Sequence, residues 1–175
     1  MAAPLSAGCA TLVRQSLVDN GVTTPSAELV KGILINSADP HQGSRPNFRS
    51  GWGLINLRHA IEDNFQFDDS RSISMGETNN YTIPVAANSD ELRVTLLWSD
   101  PPAASLQNDL DLTITSPSGV VHSSRDANNI TPDRFNNVEG IDRPDPESGN
   151  WTISVTPHQF SVGSSQQYTV IVSTR

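Results

Sequence analysis

Hydrophobic residues along this chain follow two different periods. Up to about residue 62 they recur at helical spacing. Leu5, Cys9, Leu12, Val13 and Leu17 form one stripe of a helix predicted over 1–18, with Pro4 near its start and Asp19-Asn20-Gly21 as its stop. A second helix carries Leu29, Val30, Ile33 and Leu34 on one face. Its predicted N-cap is Thr24, its first residue Pro25, and it stops at Ala38-Asp39-Pro40. A loop rich in Gly, Pro, Ser and Arg leads through Gly51-Trp52-Gly53 to a short third helix, with Asn56 as cap and Leu57, Ala60 and Ile61 facing inward.

From Phe65 onward the period is two. Arg71–Met75 and Tyr81–Val85 read as strands around a Gly-Glu-Thr-Asn-Asn turn. Leu92, Val94, Leu96 and Trp98 share one face of the next strand. Leu110, Leu112 and Ile114 share one face of the strand after it and leave Asp109, Asp111, Thr113 and Thr115 on the other. A short strand at Val120–Ser123, a long polar loop over 124–149, and strands at Trp151–Val155 and Tyr168–Ser173 complete the series. Short strands with turn signals between them predict a mainly β fold, an antiparallel sandwich or jelly roll, preceded by a three-helix segment. We divide the chain into a helical part, 1–65, and a β part, 66–175. A loop as long as 124–149 points to a function or to an ion that orders it.

Charge narrows the partners. The net charge of −8 excludes nucleic acid, which needs a basic stripe. Lys31 is the sole lysine, so nearly all positive charge is arginine. Cys9 is the sole cysteine, which rules out an internal disulfide. No run approaches the roughly 20 apolar residues of a membrane span, so no membrane partner is expected. No charged segment followed by an apolar one marks a signal peptide, so residue 1 need not be the natural start. An acidic surface with one lysine fits a secreted protein or a cation binder.

The candidate chemistry lies at Asp109 and Asp111. Two carboxylates on one strand face repel unless they are solvated or something positive sits between them. Such a pair could form an acid/base dyad. Calcium suits them better, because it takes six to eight oxygens from carboxylates, amides and backbone in a loop setting. Asn108 adds an oxygen at the strand start. The long loop offers Asp126, Asn128, Asn129, Asp133, Asn136, Asn137, Glu139 and Asp142. The expected metal ligands are Asn108, Asp109, Asp111, Asp126 and Glu139. The plainer alternative is a solvated strand face beside an Asn-rich turn region. No His/Cys cluster suits zinc. No nucleophilic triad is legible: Ser6 and Ser16 lie on a helix, and His41, His59, His122 and His158 are scattered.

Three stretches carry a family resemblance. Met1-Ala-Ala-Pro-Leu-Ser-Ala-Gly resembles the segment that follows the nucleophilic serine of subtilisin-like serine proteases, whose motif reads Gly-Thr-Ser-Met-Ala-x-Pro-x-x-Ala-Gly. Pro25–Pro40 resembles the helix that ends in that family's Asn-Ser-Ala-type turn. Gly51-Trp-Gly-Leu-Ile-Asn-Leu resembles the glycine-rich turn before its last helix. The three occur in the family's order and cover about residues 1–62. Small residues at Ala2, Ala3, Ala7, Gly8 and Ala10 agree with a helix that approaches a sheet closely. The resemblance implies that the catalytic serine, histidine, aspartate and oxyanion asparagine lie upstream, so that this chain carries no catalytic residue. Residues 66–175 resemble the jelly-roll domain appended to some bacterial subtilases and, more distantly, the P domain of proprotein convertases. Leu-Trp-Ser-Asp-Pro-Pro at 97–102, Asn-Asp-Leu-Asp-Leu at 108–112, Ser-Pro-Ser-Gly at 116–119, Asn-Asn-Val-Glu at 136–139 and Ser-Gly-Asn-Trp-Thr-Ile-Ser-Val at 148–155 carry this second likeness.

The resemblance implies a secreted serine endopeptidase whose carboxy-terminal part this is. Its β-domain would stabilise the protease and bind calcium. Its partners would be the upstream catalytic domain and the parent's protein substrates. Helices that belong against a parallel sheet would leave apolar stripes to pair with a second copy, giving a homodimer, or to fold onto the β part. The competing class is a carbohydrate- or protein-binding β-sandwich, which calls for an exposed aromatic platform. Trp98 and Trp151 lie in apolar alternation and are expected in the core, and Trp52 is expected to anchor packing.

Overall fold

A computed structural model describes residues 2–125 and 132–175. Three helices come first: α1 (Ala2–Asp19), α2 (Ala27–Asn36) and α3 (Leu57–Glu62). Eight strands follow: β1 (Phe65–Ser74), β2 (Asn79–Val85), β3 (Glu91–Leu97), β4 (Asn108–Thr115), β5 (Val121–Ser123), β6 (Val138–Pro144), β7 (Gly149–Phe160) and β8 (Ser165–Thr174). They form two antiparallel four-stranded sheets, in the orders β1-β8-β3-β6 and β2-β7-β4-β5. Consecutive strands fall in alternate sheets except β4 and β5, which are neighbours in the second, and this is the jelly-roll winding.

The predicted alternation positions the core between the sheets. Leu92, Val94, Leu96 and Trp98 of the β3 stretch meet Leu110, Leu112 and Ile114 of β4, with Trp151, Ile153, Val155, Tyr168, Val170 and Val172 around them. The opposite face of β3 is not solvated. The helices cover it, so Arg93, Thr95 and Leu97 are buried as well. A second apolar cluster joins Leu97, Val138 and Ile171 of the first sheet to Val13, Leu29, Ile33 and Ala60 of the helices. Of the two partners left open for the helical stripes, the structure shows the β part in contact with α2.

Polar groups fix this docking. The carbonyls at the C-terminal end of α2 have no partners within the helix. Arg93 donates to the carbonyls of Asn36 (2.9 Å) and Ala38 (2.7 Å). Arg45 donates to those of Ile35 (2.9 Å) and Ala38 (2.8 Å). The buried Asn36 side chain donates to Thr95 Oγ1 and accepts from Ser173 Oγ. Gly32 lets α2 approach the sheet, because a Cβ there would overlap the side chains of Ile171 and Leu97.

Two sequence expectations shift. The N-cap of α2 is Ser26, whose hydroxyl accepts from Leu29 N at 2.9 Å, not Thr24. Ser26 Oγ also donates to Asp69 Oδ1, which ties the helix start to β1. The 124–149 stretch is not all loop, since β6 lies inside it and pairs with β3 along its length.

Candidate metal centre

The site exists because β5 is short. β5 pairs with β4 only at Thr113, Ile114 and Thr115. Among the described residues, no strand lies beside the earlier half of that β4 edge. A buried backbone donor must find a partner there. Leu112 N–H finds the Glu139 carboxylate of β6, which accepts at 2.6 Å through Oε2. Glu139 is thereby drawn beside Asp109 and Asp111. Ligand-capable oxygens of Asp109, Asp111 and Glu139 all lie within 4.8 Å of one another. A bulge in the β4–β7 pairing at Asp109/Leu110 lies beside the cluster.

The positive group between Asp109 and Asp111 is Arg134, at the end of the long loop. Its Nη1 donates to Asp109 Oδ2 (3.0 Å) and to Asp111 Oδ1 (2.5 Å), and its Nη2 to Asp111 Oδ2 (3.3 Å). The pair is therefore not a solvated strand face: the Asp109 side chain is 9% exposed and the Asp111 side chain 29%. His158 Nδ1 lies 3.9 Å from Asp111 Oδ2.

One arginine does not balance three carboxylates. Burial pushes the Glu139 carboxyl up to about 9; the Leu112 N–H pulls it down less strongly, and the charges of Asp111, Asp109 and Asp133 each add a smaller upward push. Burial also raises Asp109, with Arg134 opposing it and Asp111 adding to it. Arg134 is pulled down by its own desolvation, but its bonds to Asp111 and Asp109 prevail and raise it. Asp109 Oδ1 is buried with no hydrogen-bond partner among the described residues. With Glu139 ionised, three carboxylates against one guanidinium leave two negative charges. An all-oxygen donor set with that residual charge and an orphaned buried oxygen fits a hard divalent cation.

The remaining predicted ligands stand elsewhere. Asn108 is buried, but its side chain donates to Val162 O and Gln166 Oε1 and accepts from Ser161 N and Val162 N. It braces the β7–β8 turn. Asp126, with Asn128 and Asn129, lies outside the described residues. The Asp133 carboxylate accepts from Phe135 N and from Asn136 N and Nδ2, and Asp142 pairs with Arg45 at 2.8 Å. Asn137 donates to the Trp98 carbonyl.

Trp98 and Trp151 are 1% and 2% exposed, so neither presents a platform for a sugar ring. Trp52 lies against Gly140, where a Cβ would sit 2.6 Å from its ring.

No protein-family model matches the chain. It is 28% identical, over 99% of its length, to a *Dictyostelium discoideum* protein named serine protease/ABC transporter B family protein tagA. The chain spans only 12% of that relative. It is thus similar to one part of a much longer, protease-named protein. Among solved structures, a *Bacillus licheniformis* lipase in propeptide form shares 15% identity over 64% of the chain and 22% of its own, with a TM-score of 0.43. A periplasmic lysozyme inhibitor from *Aeromonas hydrophila* shares 13% over 65% of the chain and 89% of its own, with a TM-score of 0.37. These structural likenesses are too loose to bear on function. Among the described residues, no helix is long and apolar enough to cross a membrane.

Proposed function

We propose that this chain is the carboxy-terminal part of a secreted subtilisin-like serine endopeptidase. The nucleophile and base lie upstream, and the jelly roll braces the catalytic domain. The observation that carries this reading is the half-finished packing of α1. Of its eighteen residues, Val13 alone is buried, while Leu5 and Leu12 are 73% and 51% exposed. Helices gain most of their stability from a buried apolar face. A helix with small residues on an open face, at the point where the sequence resembles the segment after a catalytic serine, fits a core completed by upstream chain. The similarity to a piece of a longer protease-named protein supports the same reading. The partners are then the upstream catalytic domain and the parent's protein substrates.

In this reading the jelly roll also holds calcium, through Asp109, Asp111 and Glu139. Bound there, the ion would neutralise the charge that Arg134 leaves over and tie β4 to β6.

Two measurements test these claims separately. The codons preceding Met1 should encode Gly-Thr-Ser, and a chain extended through that region should cleave a peptide substrate while the 175-residue chain does not. Any other preceding sequence, or turnover by the short chain, overturns the protease assignment. For calcium, the melting temperature should rise by several degrees between chelator and millimolar calcium, because a ligand that binds the native state alone stabilises it. Equal melting temperatures would remove the metal.

A further inference from the structure

The two sheets also leave a gap further along the β5–β6 side. Among the described residues, β5 pairs only with β4, and β6 only with β3. Between these edges lies an open cleft of about 560 Å³, closed at one end by Ser44–Pro46. Arg45 borders it but is fully engaged, with Asp142 and with three backbone carbonyls. Arg143 is not. It falls on the same face of β6 as Glu139 and Ile141, the face turned toward the second sheet. Its Nε is buried and has no acceptor among the described residues. A buried donor without an acceptor is costly, so the cleft lacks an oxygen at that point.

Arg45 and Asp142 balance each other as an ion pair at 2.8 Å, while Arg143 lines the same cleft with its Nε unpaired among the described residues. The opposite wall, on β5, carries Val121, His122 and Ser123. His122 stacks on Trp151 with ring centroids 6.1 Å apart. Burial first, then the charge of Arg143, holds His122 below its usual range, with Glu147 opposing. The ring is therefore a neutral surface beside Ile141 and the exposed Val121.

We propose that this cleft binds an organic carboxylate, the side chain of an acidic residue in a peptide, with the Arg143 guanidinium taking its oxygens and the His122 ring covering its aliphatic carbons. An arginine fork matches a carboxylate through two parallel N–H bonds. The His122 ring and the Val121 side chain favour a carboxylate on a carbon chain over a fully hydrated inorganic anion.

The test uses the full chain with nitrogen-15 labelling. The Arg143 Nε–H and His122 ring resonances are followed during titration with acetyl-Ala-Ala-Glu-Ala-Ala-amide, its Gln counterpart and inorganic phosphate. The Glu peptide should move both resonances, the Gln peptide neither, and phosphate should bind about tenfold more weakly. Arg143→Gln should abolish the response, and Arg14→Gln, on the exposed side of α1, should keep it. Equal response to Glu and Gln peptides, phosphate binding as tight as the Glu peptide, or an unmoved Arg143 resonance would each overturn the proposal. The wild-type resonances decide the matter even if Arg143→Gln does not fold.

Discussion

At the scale of single residues, Glu139 and Arg134 decide how the acidic centre behaves. Glu139 has an ordinary carboxyl range in the unfolded chain, near 4.3, and about 9 when folded. The folded state therefore holds an extra proton between those values, and stability falls as pH rises through that window. In chelator, the unfolding midpoint should decline from about pH 5 to pH 9. Glu139→Gln keeps an acceptor for Leu112 N–H but has nothing to ionise. It should flatten the decline and abolish the calcium response. A denaturation series in buffers across that range checks both. Arg134→Gln leaves Asp109 and Asp111 without their counter-charge. With 31% of the arginine side chain exposed, the cost in chelator should be about 1–2 kcal/mol, below that of a fully buried pair. Calcium should recover most of it, because a divalent ion supplies the missing charge. A loss that calcium leaves unchanged would show that Arg134 acts alone and that no ion joins it. The sequence disclosed the question here more readily than the answer. Two carboxylates two residues apart on a strand demand a cation, and Glu139 was legible as a third acid. Arg134 sits in the same loop, but an arginine offers no ligand oxygen, and nothing in its neighbours marks it as the partner of two aspartates distant in sequence. Asn108 was misleading because an amide that ligates and an amide that braces a turn look alike in sequence.

At the scale of elements, β6 explains both what was legible and what was not. Strands whose inward positions are apolar announce themselves, as β3 and β4 do through Leu92–Trp98 and Leu110–Ile114. The inward face of β6 reads Glu139, Ile141, Arg143, so its alternation is hidden by two charges. One of those charges serves the acidic centre, and the other faces the cleft. The outer face of β3 was equally hard to read, because Arg93 and Thr95 suggest solvent, whereas here they satisfy the end of α2. That docking yields a prediction of opposite signs for two glycines. Gly8 lies in α1 with open space around its would-be Cβ. Gly8→Ala should stabilise by up to about 1 kcal/mol, through helix propensity alone. Gly32→Ala gains the same propensity but drives a methyl into Ile171 and Leu97, both fully buried. Overpacking costs about 1–3 kcal/mol, so the net change should be a loss. Chemical denaturation of both variants reads the two signs, and a stabilising Gly32→Ala would mean that α2 stands off the sheet.

At the scale of the whole molecule, the issue is whether helices and sandwich unfold together. The inter-sheet core and the helix-side cluster are distinct sets of residues, yet they lie on opposite faces of the same strands. Val170 and Val172 of β8 belong to one, and Ile171 between them belongs to the other. A strand cannot leave one cluster while remaining in the other. Melting should therefore be one calorimetric transition, with calorimetric and van't Hoff enthalpies in agreement. Ile153→Ala, in the inter-sheet core, should lower its midpoint through a loss of about 2–5 kcal/mol, and Gly32→Ala, on the helix side, should lower that same midpoint by less. α1 is the exception, because it packs mainly on α2 and α3 and Val13 is its only buried residue. Its first three turns should lose amide protection well before the global transition, since local opening follows the scarcity of buried contacts. Hydrogen exchange measures this residue by residue. Fast exchange over residues 2–12 beside slow exchange in α2 would match a helix that waits for upstream chain. Protection in α1 equal to that in α2 would mean that the helix needs no further partner, and the proposed protease context would lose its structural support.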